Sequence, residues 1–237
     1  MIMAKQLPDL RVIAVDQAIA HEETDTRRVR RYAKAFLKIR SLYDPPIVTL
    51  ISKRRYLVLD GANRVAVFRQ LGIRHIVVQV VKYAPPFVEL QTWNHLICDQ
   101  RFKHPASKPV VRFKISQLNP MVNFVKRYNG TFGFYRVVGD NFKKLRQQYP
   151  DAACLVVFPR FKPAHIVRLS LAGTVIPSGI TRHLVAGRAL SINIPLSILR
   201  ARGSVAEKNR WLKRFISDKI KNHRVRYYAE STFVFYR

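Results

Sequence analysis

The chain has 237 residues, 48% hydrophobic and 11% aromatic, enough to bury a core as one large domain or two small ones and unlike a disordered tail. Its 43 Lys and Arg against 14 Asp and Glu give a formal net charge of +29. That field attracts polyanions such as nucleotides or nucleic acid, without choosing among them. No apolar run approaches the ~18 residues of a membrane span, and Met1 to Pro8 lacks the apolar centre of a signal peptide, so a cytoplasmic protein is expected.

Leu10 to Asp16 alternates enough to form a first strand. Ala20-His21-Glu22-Glu23-Thr24-Asp25-Thr26 then leads into Arg27 to Arg40, where Val29, Tyr32, Ala33, Phe36 and Leu37 share one face. This is an amphipathic helix capped by Thr24, Asp25 or Thr26. Asp25 complements the helix dipole. Glu22 and Glu23 come earlier, on a loop, where carboxylates either serve the same dipole or reach into a cleft. Asp44-Pro45-Pro46 ends this unit. Ile47 to Ile51 and Arg55 to Leu59 read as a hairpin about the turn Ser52-Lys53-Arg54.

Tyr56-Leu-Val-Leu-Asp60-Gly-Ala-Asn-Arg64-Val-Ala-Val-Phe-Arg-Gln-Leu71-Gly72 organises the chain. It predicts a buried strand, an abrupt turn and a helix that stops at Gly72. A helix starting at Asp60-Gly61-Ala62-Asn63-Arg64 points unsatisfied N–H groups and a positive dipole end beyond the strand, where Gly61 permits close approach and Arg64 adds charge. An anion such as a phosphate fits there, and Asp60 would hold a metal or orient a proton-bearing group. The plainer alternative is that Asp60 or Asn63 only caps the helix.

His75 to Tyr83 is apolar on both faces, hence an interior strand, and Ala84-Pro85-Pro86 marks a boundary. Residues 1–85 thus form a small α/β unit. In 86–237, Gln91-Thr92-Trp93-Asn94-His95 lies in apolar surroundings that equally suit core residues. Asn141 to Tyr149 reads as a helix, Ala153 to Phe158 and His165 to Leu171 as strands, Val205 to Ile220 as a basic amphipathic helix, and Arg226 to Phe235 as a closing strand. Thr181-Arg182-His183 puts hydroxyl, guanidinium and imidazole in a row. Cys98 and Cys154 belong to no CxxC pair and read as buried free thiols.

Together His21-Glu22-Glu23, Asp60-Gly-Ala-Asn-Arg64, Thr92-Trp-Asn-His95, Thr181-Arg-His183 and Arg226-Tyr-Tyr-Ala-Glu230 resemble the motifs of free L-serine kinases in the ParB/sulfiredoxin-like superfamily. The resemblance runs from about residue 8 to the C-terminus, weakest between roughly 100 and 150. It implies an α+β protein: an N-terminal ParB/sulfiredoxin-like nucleotide-phosphate-binding domain (1–85) and a second mixed α/β domain (86–237) packed against it that completes the amino-acid pocket. It implies phosphorylation of free L-serine to O-phospho-L-serine with ATP or ADP and Mg2+. Glu22 is then the general base, with Glu23 as alternate, and Asp60 the second catalytic residue and metal ligand. Gly61, Ala62, Asn63 and Arg64 cradle the donor phosphates, Trp93 and His95 wall the amino-acid pocket, and Thr181, Arg182 and His183 hold the serine substrate or the transferring phosphate. Sulfiredoxins use a cysteine in the turn where Ala62 stands, which excludes their thiolate chemistry. The competing reading is a ParB-like DNA-binding regulator without catalysis, its basic face formed by Lys208, Arg210, Lys213, Arg214 and Lys219.

Overall fold

The structure, a computed structural model, describes residues 7–102 and 108–227. The closing strand expected over 226–235, most of the motif Arg226 to Glu230, and most of the loop His104 to Pro109 lie outside the described residues.

In chain order the first part contains β1 (Asp9–Ala14), β2 (Ala18–Ala20), α1 (Thr26–Lys38), β3 (Ser41–Leu42), β4 (Ile47–Ser52), β5 (Arg55–Asp60), α2 (Ala62–Gln70) and β6 (His75–Val80). The second contains β7 (Val88–Thr92), β8 (Asn94–Ile97), β9 (Val110–Arg112), α3 (Leu118–Tyr128), β10 (Phe134–Val137), α4 (Phe142–Gln148), β11 (Cys154–Val157), α5 (Pro163–Leu171), β12 (Thr181–Val185), β13 (Ile194–Pro195), α6 (Leu196–Arg200) and α7 (Val205–Lys221).

The first sheet has the order β1-β6-β4-β5-β2. β6 is interior, as its two apolar faces require. The β4–β5 hairpin closes at Ser52↔Arg55, with Arg54 in the left-handed region at φ 64°. Strands β4 and β5 divide their side chains between two cores, because successive residues of a strand point to opposite faces. Val48 and Val58 join one core with α1 and α2 residues such as Phe36 and Phe68. Ile47, Leu57 and Leu59 join the other, with Met121, Tyr128 and Phe158. A second sheet, β10-β8-β11-β9, carries that other core, and β12 pairs with β7.

The far end of the chain returns to the first core through Ile192, Ile194, Leu196, Leu199 and Leu212. Helix α7 starts on a Ser204 cap reciprocated by Glu207. Its Asn209 side chain binds both the N–H and the carbonyl of Val12, at 2.9 and 2.8 Å. Those backbone groups of edge strand β1 would otherwise be open to another chain.

Three expectations fail. Cys154 is a buried free thiol, but Cys98 is only partly buried. His165 to Leu171 belongs to helix α5, not a strand. Pro163 occupies its first turn, where a missing N–H costs nothing, and Ile166 and Ser170 are buried four positions apart. Its short apolar run fits either period. Lys208 is not on the solvent face of α7. It is 5% exposed and donates to the Leu199 and Ala201 carbonyls, both at 2.8 Å, capping the end of α6.

Candidate active site

Strand β5 delivers Asp60 to the first sheet's edge of a cleft, and the chain turns at once into α2. Gly61 makes the turn in the left-handed region at φ 91°, and no side chain caps the helix. Neither Asp60 nor Asn63 plays the capping role. Asn63 instead accepts the N–H of Asp25 at 3.2 Å, tying α2 to the start of α1, where Asp25 accepts from the N–H groups of Arg27 and Arg28. The first N–H groups of α2 are left without helical partners at the cleft.

Asp60 meets two guanidinium groups. Arg64 Nη2 donates to Oδ2 at 3.3 Å, and Arg188 Nη1 donates to the same oxygen. Burial pushes the Asp60 carboxyl up, but the charges of Arg64 and Arg188 outweigh it and hold the group below its ordinary range. Arg188 was not legible in the sequence. Gln79, 3% exposed on β6, donates to the Gly187 carbonyl at 3.0 Å and accepts the Ala189 N–H at 2.8 Å. That clamp on both neighbours aims Arg188 at Asp60.

Across the cleft, residues 21–23 are stitched to the segment before β12. Ile176 N–H donates to the His21 carbonyl at 2.9 Å, and Glu23 N–H to the Ile176 carbonyl at 2.8 Å. The Glu22 side chain, 16% exposed, is thereby held against β12. Its Oε2 accepts the Gly179 N–H at 2.8 Å. Its Oε1 accepts the Thr181 N–H at 2.7 Å, and Thr181 Oγ1 lies 2.6 Å away. Glu23 also faces the cleft.

Thr181, Arg182 and His183 come from one strand, β12, paired with β7 in the register Thr181↔Thr92. The Arg182 guanidinium lies over the Trp93 ring at 4.4 Å, an arrangement in which the ring face attracts the cation. His183 Nε2 lies 2.8 Å from the Tyr83 hydroxyl. Burial first, and His21 second, push the His183 imidazole down to about 3, so it is neutral and accepts the Tyr83 proton. Burial likewise raises the Tyr83 phenol above its ordinary value, with Glu22 adding to the effect.

His95 is the correction among the expected site residues. It does not wall the cleft but is fully buried beneath it, stacked on Phe134 at 4.3 Å. Its Nε2 can only donate to the Gly179 carbonyl, at 3.1 Å, so Nδ1 accepts from the Tyr128 hydroxyl at 2.7 Å. Burial holds this imidazole down at about 4, against the smaller upward pull of the Gly179 carbonyl.

These groups surround a cleft of about 820 Å³ lined by Glu22, Glu23, Asp60 to Arg64, Trp93, Thr181, Arg182, His183 and Arg188. The structure therefore brings together every expected site residue except His95. Arg28 and Tyr32 of α1, Arg136 of β10, His21 and Gly179 also line it. For Tyr32 a signal existed, its helical face, but it pointed to the core. Among the described residues no three His, Cys, Asp or Glu side chains group as a metal site. The cleft's chemistry is that of an anion site on one wall and a hydrogen-bonded carboxylate on the other.

No protein-family model matches the chain. Over an alignment of 253 residues it is 22% identical to the ATP-dependent L-serine kinase SbnI of Staphylococcus aureus, covering 95% of this chain and 96% of that one. The solved structure of SbnI with a C-terminal truncation matches with a TM-score of 0.69 at 20% identity, over 89% of this chain and 97% of that one. The ATP-dependent L-serine kinase of Desulfurococcus mucosus is 32% identical over 83 residues, 35% of this chain and 32% of that one. A free serine kinase solved in complex with AMP matches with a TM-score of 0.65 at 12% identity, over 84% and 97%. The α+β fold is the one those structures have.

Proposed function

We propose that this chain phosphorylates the hydroxyl of free L-serine, with ATP as donor, to give O-phospho-L-serine. One observation carries the reading: the Glu22 carboxylate and the Asp60 to Arg64 helix start line the same cleft. The two relatives named as ATP-dependent L-serine kinases support the substrate and the donor.

Phosphoryl transfer asks for alignment, charge neutralisation and a proton acceptor. A carboxylate offers about four lone-pair sites. Glu22 uses three on Gly179 and Thr181, leaving one on Oε2 for a serine hydroxyl. Glu22 is thus the general base, ahead of Glu23. As the serine oxygen bonds to the terminal phosphorus, its proton passes to Glu22, and the bond to the nucleotide's bridging oxygen breaks with its electron pair leaving on ADP. The N–H groups of Gly61, Ala62, Asn63 and Arg64, with the Arg64 and Arg188 guanidinium groups, bind the donor phosphates. Thr181, Arg182 and His183 with Trp93 form the amino-acid pocket, and Arg182 suits bidentate pairing with a carboxylate.

Mg2+ fits this wall in one way. Both guanidinium contacts of Asp60 fall on Oδ2, so Asp60 would contribute a single carboxylate beside phosphate oxygens and water. Bound there, the ion would neutralise phosphate charge.

We assign residues 1–85 to a ParB/sulfiredoxin-like phosphate-binding domain and 86–237 to the domain that completes the amino-acid pocket, its later part returning through Ile192, Ile194, Leu196, Leu199 and Leu212 to the first domain's core. The DNA-binding reading is not favoured. The relatives are named as kinases, and Lys208 is withdrawn from the proposed basic face. The experiment is 31P NMR of free serine with ATP or ADP, run beside a salt-titrated duplex-DNA shift. Phosphoserine from ATP supports the proposal; its absence with either donor overturns it.

A further inference from the structure

His21, Thr181 and Glu22 form a row whose protons can be counted. His21 is 5% exposed. Its Nδ1 lies 2.7 Å from the Val58 carbonyl, an acceptor only, so Nδ1 carries a proton. Its Nε2 lies 2.7 Å from Thr181 Oγ1, which lies 2.6 Å from Glu22 Oε1. Thr181 has one hydroxyl proton and two such contacts. If that proton points to Glu22, the contact with His21 needs a proton on Nε2, hence an imidazolium. If it points to His21, the contact with Glu22 needs a protonated carboxyl. Both contacts are satisfied only when the row holds two protons, and the arrangements interconvert as each proton slides one bond along.

Only the first arrangement leaves Glu22 a base. We infer that His21 holds, across the Thr181 hydroxyl, the proton that would otherwise neutralise Glu22. The inference rests on the reading of Glu22 as base and makes His21 a positioning residue. Glu22 Oε1 itself lies 3.9 Å from His21 Nε2, so the ion pair is spaced by the hydroxyl rather than direct. The other titratable ring against His21 is His183, edge-on at 5.3 Å. Its Nε2 is occupied by the Tyr83 hydroxyl, so it does not take the proton instead. During turnover the serine proton arrives at Glu22 Oε2, the row keeps its two, and the added proton leaves to solvent with product.

The test is 15N NMR of the imidazole nitrogens in the full chain, with phosphoserine formation measured on the same samples. His21 Nε2 is expected to be protonated in the wild type and unprotonated in Glu22→Gln, which removes the negative charge that balances the imidazolium. Thr181→Val should abolish the dependence of the His21 signal on residue 22, and Thr181→Ser should restore it. His21→Gln should lower kcat roughly 10–100-fold with the serine KM within about twofold. An unprotonated His21 Nε2 in the wild type, or a signal indifferent to Glu22→Gln, overturns the inference while leaving the kinase reading intact. The expected spectra without any phosphoserine would overturn the kinase reading and leave the row standing.

Discussion

Gly179 donates its N–H to Glu22 across 157 positions of sequence, at 2.8 Å, while its carbonyl is held by His95 at 3.1 Å. One peptide segment thus ties the cleft's carboxylate to a buried imidazole. The precision of Glu22 depends on that segment staying where it is.

Glu22→Ala should abolish phosphoserine formation without unfolding the chain. Loss of a general base costs about 10²–10⁴ in rate, and the side chain contributes no core packing. The check is turnover by 31P NMR beside far-UV circular dichroism. A folded variant with near wild-type turnover removes Glu22 from the mechanism.

Gly179→Ala should impair both stability and activity. Gly179 sits at φ 80°, and a Cβ there would come within 2.3 Å of the Arg136 guanidinium. Ala at positive φ costs about 1 kcal/mol or more. Pairing it with Arg136→Ala should relieve the crowding but not the backbone cost. Denaturant midpoints of the single and double variants separate the two, and an unchanged midpoint in Gly179→Ala would contradict the account.

Gln79→Leu should raise the KM for ATP while the serine KM changes little. It removes both hydrogen bonds that Gln79 makes to the neighbours of Arg188, leaving the Gly187 carbonyl and Ala189 N–H without these partners. Equal effects on both substrates would mean that Arg188 does not serve the phosphate side.

Stability should fall as the solution is acidified below pH ~6.5, the free imidazole value. His95 and His183 are held neutral down to about 4 and about 3. Between those values and 6.5 the unfolded chain binds protons that the folded one does not, so unfolding is favoured as pH drops through that window. Asp60 acts further down: its lowered value means its pairing is intact above the ordinary carboxylate range and is lost as pH falls through the folded value. Urea unfolding from pH 7 to pH 3 tests this. A flat midpoint between pH 6.5 and 4 would count against the buried neutral imidazoles.

What could be read from neighbouring residues alone was the local architecture. The strand, turn and helix of Tyr56 to Gly72, a cap among Thr24 to Thr26, the Ser52 to Arg55 hairpin and the amphipathic helix after Val205 follow from period, turn chemistry and caps. Each of these acts within a few residues. The motif residues Glu22, Asp60 to Arg64, Trp93 and Thr181 to His183 were legible as separate short groups.

Only the tertiary structure decided which of them meet. Nothing near Arg188 marks it as the partner of Asp60, because Gln79 positions it from another strand. Nothing in Asn94-His95 distinguishes a pocket wall from a buttress buried under Gly179. The apolar run of α5 suits a strand until Pro163 and the buried pair Ile166 and Ser170 are seen together. Side chains brought within hydrogen-bonding distance by a fold need no separation in sequence that a local pattern could encode. The counting of protons along His21, Thr181 and Glu22 therefore begins only once β12 lies beside the early loop.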